Sequence, residues 1–278
     1  MDVAGFLRGL PARRRADGEW LLSSLLQCSL GDIRFNPARE LTPAQEKTLR
    51  GWWKRRLAGE PMQYITGEAP FYGREFLVTE HVLIPRPETE RLVELALGLV
   101  PAAARVLDIG TGSGCIALTM KAENPLLEVT GSDLSPRALA VAKKNAKRLG
   151  LAVSFEKHDL FSPKLQKKSW DLVVSNPPYL EFNRDKIAAD VKEWEPRMAL
   201  EPQGRSRVPD LKSRATWCAE RILRACENAP PKYSALELSP RVASALEARW
   251  KKSPRVERVW READLVGRKR FLLVAWRA

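Results

Sequence analysis

The sequence is poor in the residues that bind metals or form disulfide frameworks. It has two histidines and only four cysteines among its 278 residues. The cysteines are Cys28, Cys115, Cys218 and Cys226. None of them forms a C-x-x-C pair, and His81 and His158 stand alone. This composition predicts neither a zinc site nor a disulfide scaffold, and it fits a protein of the cytoplasm.

Long apolar runs are also missing. Hydrophobic residues make up 44% of the chain, but no stretch reaches the roughly 18 residues needed to cross a membrane. The amino-terminal segment mixes charged and apolar residues and contains Arg13-Arg14-Arg15, unlike a secretory signal. We therefore expect a cytoplasmic protein that makes no membrane contact.

Acidic residues are outnumbered. Lysine and arginine total 47 against 34 aspartate and glutamate residues, a formal charge of +13. Such an excess favours an anionic partner such as RNA, DNA or a ribonucleoprotein. The basic clusters, at residues 50–56, 143–148 and 251–277, fall mostly on predicted helices, where a solvated surface is the simpler explanation. The charge thus predicts at most a weak nucleic-acid contact.

The first part of the chain has a helical pattern. Residues 18–30 carry an apolar stripe, and Thr42, Pro43 and Gln45 form a helix start signal. That helix should run to about Leu57 and stop before Pro61. We predict a small helical domain over residues 1–60. Between 62 and 82, extended pieces broken by glycine and proline predict a β-hairpin, which makes residues 61–84 a linker.

Strand and helix patterns alternate in the remainder, residues 85–278. A stiff turn at residues 84–87 precedes a helix that ends at Leu99. Strands are predicted at residues 105–109, 128–132, 153–157, 171–175 and 234–238. Helices are predicted at residues 114–122, 136–149, 212–227 and 240–250. This alternation predicts an α/β fold with a doubly wound, mostly parallel sheet. Residues 255–260 and 270–276 should pair antiparallel at its edge.

A glycine-rich turn follows the first of these strands. Gly110-Thr111-Gly112-Ser113-Gly114 has the spacing G-x-G-x-G, whereas the dinucleotide fingerprint is G-x-G-x-x-G. Glycine allows a ligand to approach the backbone closely. The spacing indicates a cofactor loop and argues against a pyrophosphate ligand.

Aspartates occur at three successive strand ends. Asp133 is placed to bind two ribose hydroxyls, and Asp159 lies where an adenine is expected. Asp108, at the base of the glycine loop, suits ordering of the loop or contact with a cationic ligand. Each could alone be a helix cap or turn residue. Together with the loop they predict a cofactor site.

The most informative motif is Asn176-Pro177-Pro178-Tyr179, which directly follows a buried strand. Open α/β sheets bind ligands at this edge. The prolines form a rigid turn without N–H groups, so the Pro177 carbonyl can accept from a ligand. Asn176 adds an amide and Tyr179 an aromatic face. The turn could grip a planar NH2 group, either a carboxamide or the exocyclic amine of a nucleobase.

These motifs resemble those of S-adenosylmethionine-dependent methyltransferases, most closely the HemK/PrmC family, which methylates a glutamine amide in class I peptide chain release factors. The resemblance covers nearly the whole chain. Its most specific stretches are residues 60–65, 83–90, 108–114 and 175–179. The segment Pro85-Arg86-Pro87-Glu88-Thr89-Glu90 discriminates this family from nucleic-acid methyltransferases, which share the glycine loop and the Asn-Pro-Pro-Tyr turn.

The resemblance implies a Rossmann-like methyltransferase domain behind a helical substrate-recognition domain, acting as a monomer. It implies that residues 110–114 and Asp133 bind S-adenosylmethionine, and that residues 176–179 hold the glutamine. Asn176, Pro177 and Tyr179 become the candidate catalytic residues, and Asn176 also borders the cofactor. The resemblance further implies that Arg86, Glu88 and Thr89 line the site.

The chain departs from the family pattern at four places. Leu160, on the adenine side, replaces a tryptophan of some relatives. Residues 203–207 and 229–232 replace glycine-rich turns, and the glutamine usual after Pro240 is absent. Two alternatives to glutamine methylation are methylation of an exocyclic amine in DNA or RNA and a non-catalytic donor-binding module on the ribosome. The intact Asn-Pro-Pro-Tyr turn argues against the second.

Overall fold

A computed structural model of the protein describes residues 1–159, 169–202 and 214–277. Contacts between backbone segments divide the chain into two compact units, Met1–Glu68 and Ala69–Ala278. Within the described ranges no helix is both long enough and apolar enough to cross a bilayer. Residues 203–207, which stand where the family has a glycine-rich turn, lie outside the described residues.

The first unit is helical, as the sequence predicts. Its helices are α1 (Val3–Arg8), α2 (Arg15–Leu26), α3 (Leu30–Phe35), α4 (Pro43–Leu57) and α5 (Met62–Thr66). Helix α4 begins with the predicted cap: Thr42 Oγ1 accepts from the Gln45 N–H at 3.2 Å, and Gln45 Oε1 accepts from the Thr42 N–H at 2.9 Å. Buried Leu21, Leu22 and Leu49 belong to the core of this unit.

The extended structure expected from residue 62 onward is wrong for α5. Pro61 precedes the first turn of this helix, and Gly67, with a φ of 80°, ends it. Met62 and Ile65 are three residues apart, so a helix places both on the face that packs into the core of the first unit. The short apolar pattern alone could not distinguish a helix from a strand, and this packing decides for the helix.

The predicted hairpin is confined to β1 (Glu68–Phe71) and β2 (Arg74–Leu77). Both residues of its turn, Tyr72 and Gly73, have positive φ angles, as a tight two-residue hairpin turn requires. The end of β2 is tied to the rest of the second unit, because the buried amide of Asn145 donates to the Leu77 carbonyl and accepts from the Leu77 N–H.

The second unit contains a seven-stranded sheet with the strand order β5-β4-β3-β6-β7-β9-β8. Its strands are β3 (Arg105–Ile109), β4 (Glu128–Asp133), β5 (Ser154–Lys157), β6 (Leu172–Ser175), β7 (Tyr233–Glu237), β8 (Val256–Glu262) and β9 (Phe271–Trp276). Strands β3 to β7 pair in parallel, whereas β9 pairs antiparallel with both β7 and β8. The predicted mostly parallel sheet with an antiparallel edge is confirmed.

Helices accompany this sheet in chain order. They are α6 (Pro87–Leu99), α7 (Cys115–Glu123), α8 (Pro136–Leu149), α9 (Ala189–Trp194), α10 (Arg197–Leu200), α11 (Trp217–Asn228) and α12 (Pro240–Trp250). One apolar cluster joins α11 and α12 to the sheet, and a second joins α6 and α7 to it. The helix predicted from residue 212 starts outside the described residues, and its described part is a 3-10 turn, Arg214–Thr216, followed by α11.

Candidate active site

The carboxyl ends of the central strands meet at one edge of the sheet. The backbone N–H groups of Gly110 and Thr111 donate to the Ser132 carbonyl, which fastens the end of β3 to β4. Ser175 Oγ donates to the Ile109 carbonyl at 2.6 Å and fastens the end of β6 to β3. A cavity of about 340 Å³ opens at this edge, a size in the range of small-molecule sites.

The predicted glycine loop lines this cavity. Gly110 has a φ of 73°, and a Cβ atom added there would meet no protein atom within 4 Å. The loop backbone at Gly110 is therefore open to a ligand. Gly114 is needed for a different reason: its φ is 82°, and a Cβ atom would lie 3.0 Å from Leu118 Cδ1 at the start of α7.

Asp133 ends β4 and also lines the cavity. Its carboxylate accepts from the Gly112 N–H and the Ser135 N–H, each at 2.9 Å. The two bonds fix the carboxylate and leave further lone pairs for ligand hydroxyls. Burial raises the pKa of Asp133 above its ordinary value, and the backbone hydrogen bonds oppose that rise.

Asp108 lies beneath the loop and is not among the residues that line the cavity. The carboxyl is fully buried, and its Oδ2 accepts from Thr111 Oγ1 at 2.6 Å. Burial raises the pKa of Asp108 to about 7. Of the two roles expected for Asp108, its position beneath the loop fits the ordering of the loop rather than contact with a ligand. Asp159 lines the cavity, whereas Leu160 lies outside the described residues.

The Asn176 turn separates two cavities. Asn176 and Pro177 line both the large cavity and an adjoining one of about 100 Å³, Pro178 lines the first and Tyr179 the second. Burial raises the pKa of Tyr179 well above that of an ordinary phenol. Asn176 Nδ2 donates to Thr89 Oγ1 at 3.1 Å, and Thr89 lines the large cavity.

Arg86 also borders both cavities. It forms an ion pair with Glu195, whose side chain is 1% exposed and which also accepts from the Ile84 N–H at 3.3 Å. Burial raises the pKa of Glu195, and Arg86 opposes that rise. Glu88, in contrast, is exposed in the first turn of α6 and lines neither cavity.

Two functional supports were not found from the sequence. Asn145, buried in α8, donates to the Ser113 carbonyl at 2.8 Å and so braces the glycine loop from below. Glu195 holds Arg86 in place. Asn145 gave no signal because it sits inside an ordinary helix pattern, and the role of Glu195 depends on a contact with Arg86, 109 residues away along the chain.

The residues present fit a nucleoside-based methyl donor. The open glycine backbone admits a ligand against the loop, and the fixed Asp133 carboxylate can accept from the two hydroxyls of a ribose. Asp159 and the apolar residues Leu134 and Ile116 extend the lining beyond them. S-adenosylmethionine has the matching parts: a ribose, a planar adenine and a positively charged sulfur.

Two family models and several curated relatives match this chain. A family model described as the PrmC N-terminal domain matches residues 4–67, and one described as the methyltransferase small domain matches residues 91–208. The release factor glutamine methyltransferase of Koribacter versatilis is 47% identical over 67% of this chain and 68% of the relative. The one of Geobacter sulfurreducens is 44% identical over 67% of this chain and 66% of the relative.

Solved structures share the fold at low identity. A methyltransferase from Pyrococcus furiosus superposes with a TM-score of 0.53 at 15% identity, covering 83% of this chain and 98% of that one. The METTL16 methyltransferase domain gives a TM-score of 0.53 at 18% identity, covering 81% of this chain and 96% of that one. These likenesses concern the fold alone. Through its similarity to the curated relatives, the chain belongs to the family of release factor glutamine methyltransferases.

Proposed function

We propose that the protein transfers a methyl group from S-adenosylmethionine to the side-chain amide nitrogen of the glutamine in the Gly-Gly-Gln motif of class I peptide chain release factors. The observation that carries this proposal is the position of Asn176 and Pro177, which line both cavities at the strand edge. A donor in one cavity and an amide in the other would meet there. The names of the relatives favour this activity over methylation of nucleic acid and over a non-catalytic role.

The larger cavity is the proposed donor site. Asp133 would accept from the ribose hydroxyls, and Asp159 would lie near the adenine. The glycine loop, held by Asn145 from below and by the Asp133 carboxylate from the side, would form the floor. S-adenosylmethionine supplies an activated methyl group on a positively charged sulfur and leaves as S-adenosylhomocysteine.

The smaller cavity is the proposed site of the glutamine side chain. A carboxamide nitrogen is a poor nucleophile because its lone pair is delocalised into the carbonyl, so the protein must contribute mainly by alignment. Asn176 Oδ1 and the Pro177 carbonyl would accept the two N–H hydrogens. The prolines contribute no backbone N–H that could compete for these acceptors. Tyr179 would pack against the amide plane.

No strong base is needed in this scheme. The amide nitrogen carries one hydrogen too many only after it has bound the methyl group, and the extra proton can then leave to solvent. Tyr179 is not suited to act as a base, because burial raises its pKa and keeps the phenol protonated at neutral pH. Its role would be packing, and Arg86, held by Glu195, would form another part of the wall.

The helical residues 1–60 are proposed to recognise the release factor, and this part of the chain matches the PrmC N-terminal domain. On α8, exposed Lys143, Lys144 and Lys147 form a basic stripe. This stripe is proposed to allow weak, salt-dependent contact with nucleic acid without methylation.

A competition assay tests the proposed function. Equal amounts of a class I release factor, total RNA and duplex DNA would be incubated together with enzyme and label on the donor methyl group. We expect label on the release factor alone. A release factor whose Gly-Gly-Gln glutamine is replaced by alanine is the substrate control and should stay unlabelled. Label on nucleic acid, with none on the release factor, would refute the proposal and support the exocyclic-amine alternative.

A further inference from the structure

A buried hydrogen-bond chain leads away from Asn176. Asn176 Nδ2 donates to Thr89 Oγ1 at 3.1 Å, and Thr89 Oγ1 donates to Glu237 Oε2 at 2.8 Å. Thr89 is 3% exposed and Glu237 is 1% exposed. Neither contact is needed to hold a helix or a strand together. These two hydrogen bonds therefore point to a role at Asn176.

The fold builds this chain from three separate elements. Ser175 at the end of β6 pairs with Leu236 in β7, so the residues that follow, Asn176 and Glu237, come side by side at the strand ends. Thr89 reaches them from the first turn of α6, where its N–H donates to the Arg86 carbonyl at 3.0 Å. The hydroxyl is thus delivered to the gap between an amide and a carboxylate.

The direction of each bond follows from the carboxylate. An ionised Glu237 can only accept, so the single hydroxyl hydrogen of Thr89 must point toward it. Thr89 Oγ1 can then only accept from Asn176, which turns the amide nitrogen of Asn176 toward Thr89. The Asn176 oxygen is left as the group available to a substrate N–H. Among the described residues, no hydrogen bond to this oxygen is found.

We propose that Thr89 and Glu237 are positioning residues that fix the amide orientation of Asn176, so that its oxygen faces the substrate amide. The inference rests on the proposed function of Asn176 as the acceptor of the glutamine N–H group. Without the chain, the Asn176 amide could rotate by half a turn and present its own NH2 group. Two donors would then face each other, and the glutamine nitrogen would lose its alignment.

The charge on Glu237 determines the direction of the two hydrogen bonds. Arg270 Nη1 lies 3.9 Å from Glu237 Oε1, but Arg270 Nε is bonded to Asp264 at 2.7 Å. Arg86, Glu88 and Tyr179 are the other charged or titratable groups that act on Glu237. Burial raises the pKa of Glu237 to about 7 and outweighs the Thr89 hydrogen bond and the attraction of Arg270, which both lower it.

Protonation of Glu237 would reverse the direction of both hydrogen bonds. A carboxylic acid can donate to Thr89 Oγ1, which frees the Thr89 hydrogen to donate to Asn176. The Asn176 oxygen would then turn toward Thr89, and its NH2 group would face the substrate. Turnover should therefore fall as the pH drops through about 7, the pKa of Glu237.

Three variants separate these effects. Thr89→Val removes the hydroxyl at nearly constant shape, so the amide loses its bias, and kcat at pH 8 should fall about 2- to 5-fold. In Glu237→Gln the new amide oxygen would face the positive charge of Arg270 and its NH2 group would face Thr89, which reverses the bias, so kcat should fall about 10- to 30-fold. Thr89→Ser keeps the hydroxyl and should restore most of the wild-type kcat.

The decisive measurement is the double variant Thr89→Val/Glu237→Gln. The amide introduced by Glu237→Gln can act on Asn176 only through the Thr89 hydroxyl, so the double variant should be about as active as Thr89→Val alone. Because residues in contact couple even when their role is structural, the pH profile serves as a second readout. In Thr89→Val the fall of kcat near pH 7 should also be weakened. The far-UV circular dichroism of each variant should match that of the wild type, which controls for folding.

The outcomes are distinguishable. Additive losses, an unaffected Glu237→Gln enzyme, or failure of Thr89→Ser to restore kcat would overturn the positioning role while leaving the methyltransferase activity of the wild type in place. If Glu237→Gln does not fold, the Thr89→Val and Thr89→Ser pair and the wild-type pH profile still decide. A wild-type protein that transfers no methyl group to the release factor would overturn the proposed function and this inference together.

Discussion

Asp133 offers the clearest test of the donor site, because its carboxylate is held in place by defined backbone hydrogen bonds. The carboxylate accepts from the Gly112 N–H and the Ser135 N–H, each at 2.9 Å, and faces the larger cavity. Asp133→Ala would remove the proposed acceptor of the ribose hydroxyls and also the anchor of the Gly112 amide. A hydrogen bond to a charged group contributes about 1.5–3 kcal/mol. Donor affinity should therefore fall by roughly 10- to 100-fold.

Calorimetric titration with S-adenosylhomocysteine measures this change without any substrate. Asp171→Ala is a matched control, because Asp171 also accepts a backbone N–H, that of Arg105 at 2.9 Å, but lies at the opposite end of the strands. The control should leave donor affinity unchanged. If a folded Asp133→Ala protein bound the ligand as tightly as wild type, the ribose would have to lie elsewhere, and the assignment of the larger cavity would fail.

Three further results are expected. Asn176→Ala should lower turnover on the order of 100-fold with little change in donor affinity, and near-normal turnover would rule out the amide clamp. Burial raises the pKa of Asp108 from 3.8 to about 7, so the folded state holds this proton more tightly and loses stability as the pH rises through that window. Asp108→Asn, which keeps an oxygen for Thr111, should therefore gain in Tm relative to wild type between pH 5 and pH 8; a constant difference would contradict this. Gly114→Ala should destabilise the fold by roughly 1–3 kcal/mol, whereas Gly98→Ala, with open space around it, should not; equal Tm values would show that the tight packing at Gly114 is relieved at little cost.

Local patterns were enough to predict the frame of the site. The glycine loop and the Asn176 turn directly follow their strands, and Asp133 ends β4. The carboxyl ends of parallel strands meet at one edge of a sheet. The sheet itself was predictable because strand and helix periodicities alternate clearly. The short segment Met62–Thr66 was not, because five residues do not distinguish the two periods, and packing in the core decided for helix.

Distant contacts explain what the sequence could not provide. Asn176 and Thr89 are separated by 87 residues, and Thr89 and Glu237 by 148, so their hydrogen bonds depend on the completed fold. Glu88 shows that closeness in sequence does not place a residue in the site. It stands next to Thr89 in the same motif, but neighbours in a helix point in different directions, and Glu88 is exposed while Thr89 is buried.

The central claim is that a glutamine side-chain amide receives the methyl group. The most direct measurement is fragmentation mass spectrometry of a class I release factor after incubation with the enzyme and S-adenosylmethionine. The account predicts one added methyl group on the side-chain nitrogen of the Gly-Gly-Gln glutamine, and none when the enzyme carries Asn176→Ala. A methyl group on another residue of the release factor, or an unmodified glutamine after incubation with active enzyme, would contradict it.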